Sequence, residues 1–328
     1  MQSSDAASTA ALFLPIADLL QRTEQKLQKL TDFSAAIGQP LEVLSIRPGK
    51  RLRPALLLLS ASMFSAPSED CITAAAALEA VHLASLFHDD VIDETSMRRG
   101  SGTLNFQLGN KYSILIGDYI LAQATQSLAD ISNSSIISIV TQAAREMSRG
   151  QLLELRYKGD ASVSIDCYLD IIGAKTASLL SACCSIGALL SGADAKAQKS
   201  LAVYGFNLGL AFQITDDLLD IWGDPQVLGK PVLSDIKESK YTVPLLLARD
   251  KSGRNELTAL LKQTQQSFSQ SLESEILEYL DRNGAKEQTA ALARHYADLA
   301  RQALQEINAQ NAVQTLAGIA AWVVDRQN

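Results

Sequence analysis

The sequence has four cysteines, and their spacing fits neither a zinc site nor a disulfide framework. No CxxC pair is present, and the adjacent Cys183 and Cys184 lie inside an apolar run. We therefore expect small buried cysteine side chains and a cytoplasmic location, where thiols stay reduced.

The sequence also lacks a basic excess and a long apolar run. Its formal net charge is −7 at pH 7, which argues against bulk nucleic-acid binding because such proteins need a basic surface. Pro15 interrupts the apolar stretch near the N-terminus, which has no basic region. We expect neither a signal peptide nor a membrane-spanning helix, so any contact with a membrane is peripheral at most.

Proline is absent between Pro67 and Pro225, a stretch rich in alanine, leucine and isoleucine. This composition favours long helices, while alternating β-branched runs with turn pairs are missing. Hydrophobic residues make up 47% of the chain, and no linker is evident. We predict an all-α fold, a single domain over residues 1–328, with some helices buried on all sides. The apolar spacing predicts helices near residues 12–30, 71–94, 114–128, 136–155, 168–190, 197–221, 256–282 and 286–307.

Two aspartate clusters of the form DDxxD each close a predicted apolar helix. The first contains Asp89, Asp90 and Asp93, and the second contains Asp216, Asp217 and Asp220. Residues four apart share a helix face, so the outer aspartates of each cluster project together and repel. The alternative, a solvated helix end, fits one cluster better than two. No cationic partner is evident inside either cluster, so a hard divalent cation is the natural compensator.

Basic residues stand near both clusters, as a site for an anionic substrate requires. They are Lys50, Arg51 and Arg53 upstream, Arg98 and Arg99 after the first cluster, and Lys230 and Lys240 after the second. Arginine suits bidentate phosphate contacts and lysine suits point-charge contacts. His82 lies two turns before Asp89 on the same helix face, so contact with a substrate phosphate competes there with a core role.

In their order along the chain, these motifs resemble the trans-isoprenyl diphosphate synthase (polyprenyl synthetase) family. The resemblance runs from about Gly49 to Pro244, beginning with GKRLRP and HLASLFHDDVID. Further matching marks are RRG at 98–100, Gly117-Asp118, Gly150-Gln151, Lys175-Thr176, Phe212-Gln213 and GKP at 229–231. Leu233 and Ser239 depart from the pattern, since the family has glycine at both positions. Loss of glycine restricts the backbone of this loop.

The resemblance implies antiparallel helices around a deep central cavity, usually in a homodimer, and about three Mg²⁺ ions at each active site. The implied Mg²⁺ ligands are Asp89, Asp93 and Asp216, supported by Asp90, Asp217 and Asp220. The implied allylic diphosphate contacts are Arg98, Lys175, Lys230 and Lys240. Isopentenyl diphosphate would contact Lys50, Arg53, His82 and Arg99. The implied neighbours of the allylic cation are Thr176 and Gln213.

The implied reaction is Mg²⁺-dependent condensation of isopentenyl diphosphate with an allylic diphosphate into an all-trans polyprenyl diphosphate. In this family the growing tail runs along the helix of the first cluster, where short-chain members place Phe or Tyr one turn before it. Here the residues are small: Ala84 and Ser85, then Ala80 and Val81, then Ala77. Each layer opens about 5.4 Å of depth, which predicts a product of about six to ten isoprene units. The alternatives are a geranylgeranyl or other short-chain synthase, or small residues that serve helix packing alone.

Two further functions compete with this interpretation. A class I terpene cyclase would replace the second DDxxD with a mixed metal motif and would lack the cations Lys50 and Arg53. A non-catalytic subunit of a heteromeric synthase would usually lose one aspartate cluster, whereas both are present.

The division of cations between two diphosphate sites predicts the kinetics of two variants. We expect Lys50→Ala and Arg53→Ala to raise KM for isopentenyl diphosphate more than KM for the allylic primer. Steady-state kinetics with each substrate varied in turn measures both constants. Equal changes in the two KM values would contradict the division.

Overall fold

The computed structural model describes residues 11–33, 50–98, 101–228, 232–252, 254–264, 269–307 and 312–326. Nearly all elements in these ranges are helices, which confirms the predicted all-α class. A short 3₁₀ helix at Leu14–Ile16 precedes the α-helices. They are α1 (Ala17–Thr31), α2 (Leu52–Ser62), α3 (Glu69–Ile92), α4 (Leu104–Leu108), α5 (Asn110–Ala129), α6 (Ser134–Tyr157), α7 (Ile165–Ile172), α8 (Ser178–Leu190), α9 (Ala195–Trp222), α10 (Pro225–Leu228), α11 (Ser234–Lys237), α12 (Val243–Ser252), α13 (Arg254–Thr264), α14 (Gln270–Arg282), α15 (Ala285–Gln305) and α16 (Val313–Asp325). A π-helix, Gly173–Ala177, joins α7 to α8.

Helix α3 carries the first aspartate cluster and begins where the sequence supplies a cap. The Ser68 hydroxyl accepts a hydrogen bond from the backbone N–H of Cys71 at 3.4 Å, and acidic residues follow in the first turn. The helix ends at Ile92, two residues before the predicted end. The N–H of Asp93 still donates to the carbonyl of Asp89 at 2.8 Å, which keeps the two aspartates on one turn.

Helix α9 carries the second cluster and belongs to both parts of the hydrophobic core. One part contains residues of α1 to α6, α8, α9, α15 and α16, and the other contains residues of α7, α9 and α11 to α15. The buried Tyr204 hydroxyl donates to the carbonyl of Leu316 at 2.7 Å and joins α9 to α16. Helix α9 therefore holds the second cluster between the two parts of the core.

Two helical segments, α3 and Ile165–Leu190, are long and apolar enough to span a membrane by length and hydropathy alone. No membrane-spanning segment was expected from the sequence. In the structure 67% and 72% of their apolar windows are buried inside the protein. That burial is typical of core helices packed on all sides.

Local structure departs from the sequence prediction in two places. The helix predicted over 256–282 is divided, because α13 ends at Thr264 and α14 begins after the Ser269 cap. A two-stranded antiparallel hairpin, β1 (Met97–Arg98) with β2 (Ser101–Gly102), follows α3. Strands this short leave no alternating hydrophobic pattern for sequence analysis to detect.

Candidate active site

The first cluster separates into two kinds of aspartate. Asp89 is partly exposed, and burial together with the neighbouring Asp93 raises its pKa. Asp93 lies 3.6 Å from the Lys240 ammonium. Asp90 is buried, and its Oδ1 accepts hydrogen bonds from Arg98 Nε and Nη2 at 2.9 and 2.7 Å. Asp90 thus anchors Arg98, while Asp89 and Asp93 remain on the exposed side of the turn.

The second cluster also contains both kinds of aspartate, since Asp217 and Asp220 are buried and Asp216 is partly exposed. Asp217 is fully buried, and its carboxylate accepts hydrogen bonds from the Tyr168 hydroxyl at 2.8 Å and from Gln213 Nε2 at 3.2 Å. Burial raises the pKa of Asp217, and burial beside Asp217 raises the pKa of Tyr168. The Thr176 hydroxyl donates to Gln213 Oε1 at 3.1 Å. A continuous chain of hydrogen bonds therefore joins the predicted neighbours of the allylic cation to this cluster.

Asp220 supports the loop that follows α9. Its carboxylate accepts a hydrogen bond from the N–H of Asp235 at 3.1 Å, and its carbonyl accepts one from the N–H of Leu233 at 2.6 Å. Leu233 and Ser239 both have φ of 60°, in the left-handed region. Each residue with a side chain costs about 1 to 2 kcal/mol there, which is why glycine is the usual choice. The loop has kept the glycine-type backbone at both departures from the family pattern.

Asp216 has a partner that sequence analysis missed. Arg326, which follows α16, donates from Nη2 to Asp216 Oδ1 at 2.7 Å and to the carbonyl of Phe212 at 2.8 Å. The arginine side chain is 3% exposed, and its guanidinium carbon lies 4.0 Å from the centroid of the Phe212 ring. A separation of 110 residues hides this contact from any local pattern. A site cation therefore comes from the C-terminal part of the described chain.

The lysine at position 175 is presented by an irregular helical segment. The π-helix Gly173–Ala177 lies between two glycines on neighbouring helices. A Cβ at Gly150 would stand 2.6 Å from the Lys175 backbone nitrogen, and one at Gly209 would stand 2.5 Å from the Ala177 Cα. Both are too close for any side chain, so glycine is required for the approach of α6 and α9. Widened turns of this kind recur at functional sites.

A cleft of about 710 Å³, its open mouth included, collects the central predicted residues. Its wall includes Lys175, Thr176, Gln213, Asp217 and Lys240, together with Glu154 and Tyr168. Glu154 had no predicted role, because a single glutamate on an amphipathic helix carries no recognisable pattern. It is nevertheless the nearest carboxylate to Lys175, at 2.6 Å.

The described isopentenyl diphosphate contacts lie on α2, on α3 and, for Lys50, two residues before α2. The Lys50 ammonium stands 5.1 Å from the centroid of the Trp322 ring on α16. Arg53 and His82 are partly buried on α2 and α3. The intervening Arg51 is structural, since it donates to Glu24 at 2.7 Å and to Glu79 at 2.9 Å. Arg99 and Lys230 lie outside the described residues.

The predicted chain-length residues occupy two faces of α3. Ser85 is partly exposed on the face of His82 and Asp89, and its hydroxyl donates to the carbonyl of His82 at 2.7 Å. The remaining positions, Ala77, Ala80, Val81 and Ala84, are buried. Their burial shows that small side chains pack closely there, and the tunnel stays a prediction.

The carboxylates of the site fit Mg²⁺ when the coordination of the ion is shared with substrate phosphate and water. In the described part of the chain, no three Asp, Glu, His or Cys side chains converge on one point in a way that would enclose a metal ion. Mg²⁺ commonly takes one or two protein carboxylates and fills its octahedron with water and substrate phosphate. Asp89, Asp93 and Asp216 suit that mode. The site also attracts cations, since Lys240 stands beside Asp93 and Arg326 beside Asp216.

Comparison with known proteins identifies the same family as the motifs. The family model described as polyprenyl synthetase matches residues 34–280. The chain is 34% identical to octaprenyl diphosphate synthase of Escherichia coli over 278 residues, covering 85% of this chain and 86% of that protein. It is 32% identical to a short chain isoprenyl diphosphate synthase of Methanothermobacter thermautotrophicus, covering 85% and 87%. A polyprenyl synthase of Caulobacter crescentus, solved with calcium and isoprenyl diphosphate, superposes with a TM-score of 0.89 at 32% identity, covering 98% of each chain.

The left-handed residue Ser239 gives a stability prediction. We expect Ser239→Gly to raise the free energy of unfolding by about 0.5 to 1 kcal/mol, because glycine adopts this backbone without strain. Ser138→Gly, at an exposed position inside α6, is the matched control and should lose about 0.5 kcal/mol. Denaturant unfolding measures both. A Ser239→Gly protein that is less stable than the parent would show that the loop carries no such strain.

Proposed function

Because the chain belongs to the polyprenyl synthetase family and is therefore a trans-prenyl diphosphate synthase, we propose that it uses Mg²⁺ to condense isopentenyl diphosphate with an allylic diphosphate into a long polyprenyl diphosphate. The position of Lys240 is the observation that supports this proposal most strongly. Lys240 stands 3.6 Å from Asp93 of the first cluster, and it lines the same cleft as Asp217 of the second. A residue of each carboxylate cluster and two lysines thus lie in or beside one cleft.

The residues of the cleft suit ionisation of an allylic diphosphate. Lys175 and Lys240 stabilise the charge that develops on the departing diphosphate, which leaves with the electron pair of the C–O bond. Bound Mg²⁺ supplies further neutralisation of that charge. The hydrogen bonds of Tyr168 and Gln213 hold the Asp217 carboxylate in place, and the Thr176 hydroxyl oxygen faces the cleft with Gln213.

Carbon–carbon bond formation needs a second substrate rather than a side-chain nucleophile. The double bond of isopentenyl diphosphate supplies the electron pair for the new bond to the allylic carbon. Loss of a proton, accepted by the released diphosphate, restores a double bond. In our proposal Lys50, Arg53 and His82 bind the diphosphate of this second substrate, and Arg99 assists them. Arg98 and Lys230 complete the cations on the allylic side.

We propose a long product, of about six to ten isoprene units, from the small residues along α3. The octaprenyl diphosphate synthase relative supports that length, while the short-chain relative supports the alternative of a geranylgeranyl or other short product.

A homodimer is also proposed. Its support is a set of large apolar side chains exposed on α4 to α6, namely Phe106, Tyr112, Leu115 and Leu152. Cytoplasmic location stays a prediction from the cysteine pattern.

Incubation of the pure protein with labelled isopentenyl diphosphate and several allylic primers tests this function. Products sized with Mg²⁺ present should be long polyprenyl diphosphates, and excess chelator should abolish them. A cyclised hydrocarbon would instead indicate a terpene cyclase. Absence of product until another subunit is added would indicate a non-catalytic partner.

Removal of one predicted ligand from each cluster should have equal effects on turnover and opposite effects on stability. We expect Asp89→Ala and Asp216→Ala each to lower kcat by at least about two orders of magnitude, because each removes a Mg²⁺ ligand. Burial raises the pKa of Asp89, so its ionised form destabilises the fold above that pKa, and Asp89→Ala should raise Tm at neutral pH. Asp216→Ala removes the carboxylate that the buried Arg326 contacts at 2.7 Å and should cost about 1 to 3 kcal/mol.

Activity assays and thermal unfolding at pH 7 measure both effects. Near-normal kcat in either variant would contradict the assignment of that aspartate as a metal ligand. A fall in Tm for Asp89→Ala as large as that for Asp216→Ala would contradict the electrostatic distinction between them.

The chain-length proposal is tested by two bulky substitutions one turn before Asp89. Both Ala84→Phe and Ser85→Phe should shorten the product if the tail passes that level, while the first condensation keeps much of its rate. Ala84 is 1% exposed, so phenylalanine in a filled core would instead cost about 1 to 3 kcal/mol. Product sizing and Tm together separate the two cases. An unchanged product distribution in both variants would place the floor of the tunnel elsewhere.

A further inference from the structure

Glu154 places a negative charge among the cations that the proposed function assigns to diphosphate binding. Its Oε2 accepts a hydrogen bond from the Lys175 ammonium at 2.6 Å and lies 4.0 Å from the Lys240 ammonium. The side chain lines the cleft and is 20% exposed. A carboxylate in this position repels a bare diphosphate, so its presence calls for a physical explanation.

The charges around Glu154 do not favour an anion by themselves. Lys240 also lies 2.8 Å from Glu238 and 3.6 Å from Asp93. Lys175 and Lys240 together thus have three carboxylates within 4.0 Å of their ammonium groups, those of Glu154, Glu238 and Asp93. A diphosphate without cations therefore meets a surplus of negative charge, whereas one carrying divalent cations offsets it.

We propose that Glu154 is a positioning residue that makes diphosphate binding depend on divalent cations. It holds Lys175 and Lys240 as counter-ions in the ligand-free cleft. A diphosphate that arrives without metal must separate Lys175 from Glu154 and then lie against an unneutralised carboxylate. The Glu154 carboxylate attracts the positive charge of divalent cations that a diphosphate carries with it. This inference rests on the proposed function, because it presumes that these lysines contact diphosphate.

The test is calorimetric titration of inorganic diphosphate into the full chain, with excess EDTA and with Mg²⁺. We expect Glu154→Gln to bind metal-free diphosphate about tenfold more tightly than the parent, because one like charge has been removed. The ratio of metal-free to Mg²⁺-supported Kd should fall by a similar factor. Glu146→Gln is the matched control. It lies two turns earlier on α6, where Glu146 accepts from Arg149 Nε at 2.7 Å outside the cleft, and it should leave the ratio unchanged.

A second variant keeps the proposal open to contradiction if the first is unstable. Glu154→Asp retains the charge but withdraws it from the lysines, so its metal-free affinity should lie between those of the parent and Glu154→Gln. Metal-free binding that stays as weak as the parent's in both variants would overturn the proposal. A parent protein that fails to bind diphosphate even with Mg²⁺ would instead contradict the proposed function itself.

Discussion

Mutual repulsion among six aspartates at the ends of two apolar helices is the interaction on which the rest of the site depends. Two arrangements reduce this repulsion. Asp90, Asp217 and Asp220 are almost fully buried and are satisfied by Arg98, by Tyr168 and Gln213, and by the backbone N–H of Asp235. Asp89, Asp93 and Asp216 stay more exposed. Burial on one side of each cluster holds the backbone turn, which leaves the other side able to bind cations.

Cations of the protein already stand beside the more exposed aspartates. Lys240 contacts Asp93 from the segment between α11 and α12, and Arg326, the residue after α16, contacts Asp216. A bound metal ion would have to share these carboxylates with the Lys240 and Arg326 side chains, or displace them. The sequence offered no such partner inside either cluster, since both cations lie distant in the chain. Only the packing of α16 against α9 brings Arg326 to the site.

Two segments of irregular backbone position Lys175, Thr176 and Lys240 in this site. The π-helix at Gly173–Ala177 carries Lys175 and Thr176, and it fits between α6 and α9 because Gly150 and Gly209 have no side chain. The loop that presents Lys240 holds Leu233 and Ser239 in a left-handed conformation. Strain of this kind persists where the surroundings dictate the backbone. Leu233 is fully buried and bonded to the Asp220 carbonyl, which explains how a residue other than glycine is retained there.

The helical class, the two aspartate faces and most of the nearby cations could be predicted from the chain alone, because helical periodicity, the i, i+4 spacing and the motif order are all visible in the linear sequence. Tertiary structure alone decided which aspartate of each cluster is buried, that Glu154 stands between Lys175 and Lys240, and that Arg326 pairs with Asp216. Those contacts join residues 21 to 110 positions apart. No local pattern encodes them, since they follow from how α6, α9 and α16 pack against one another.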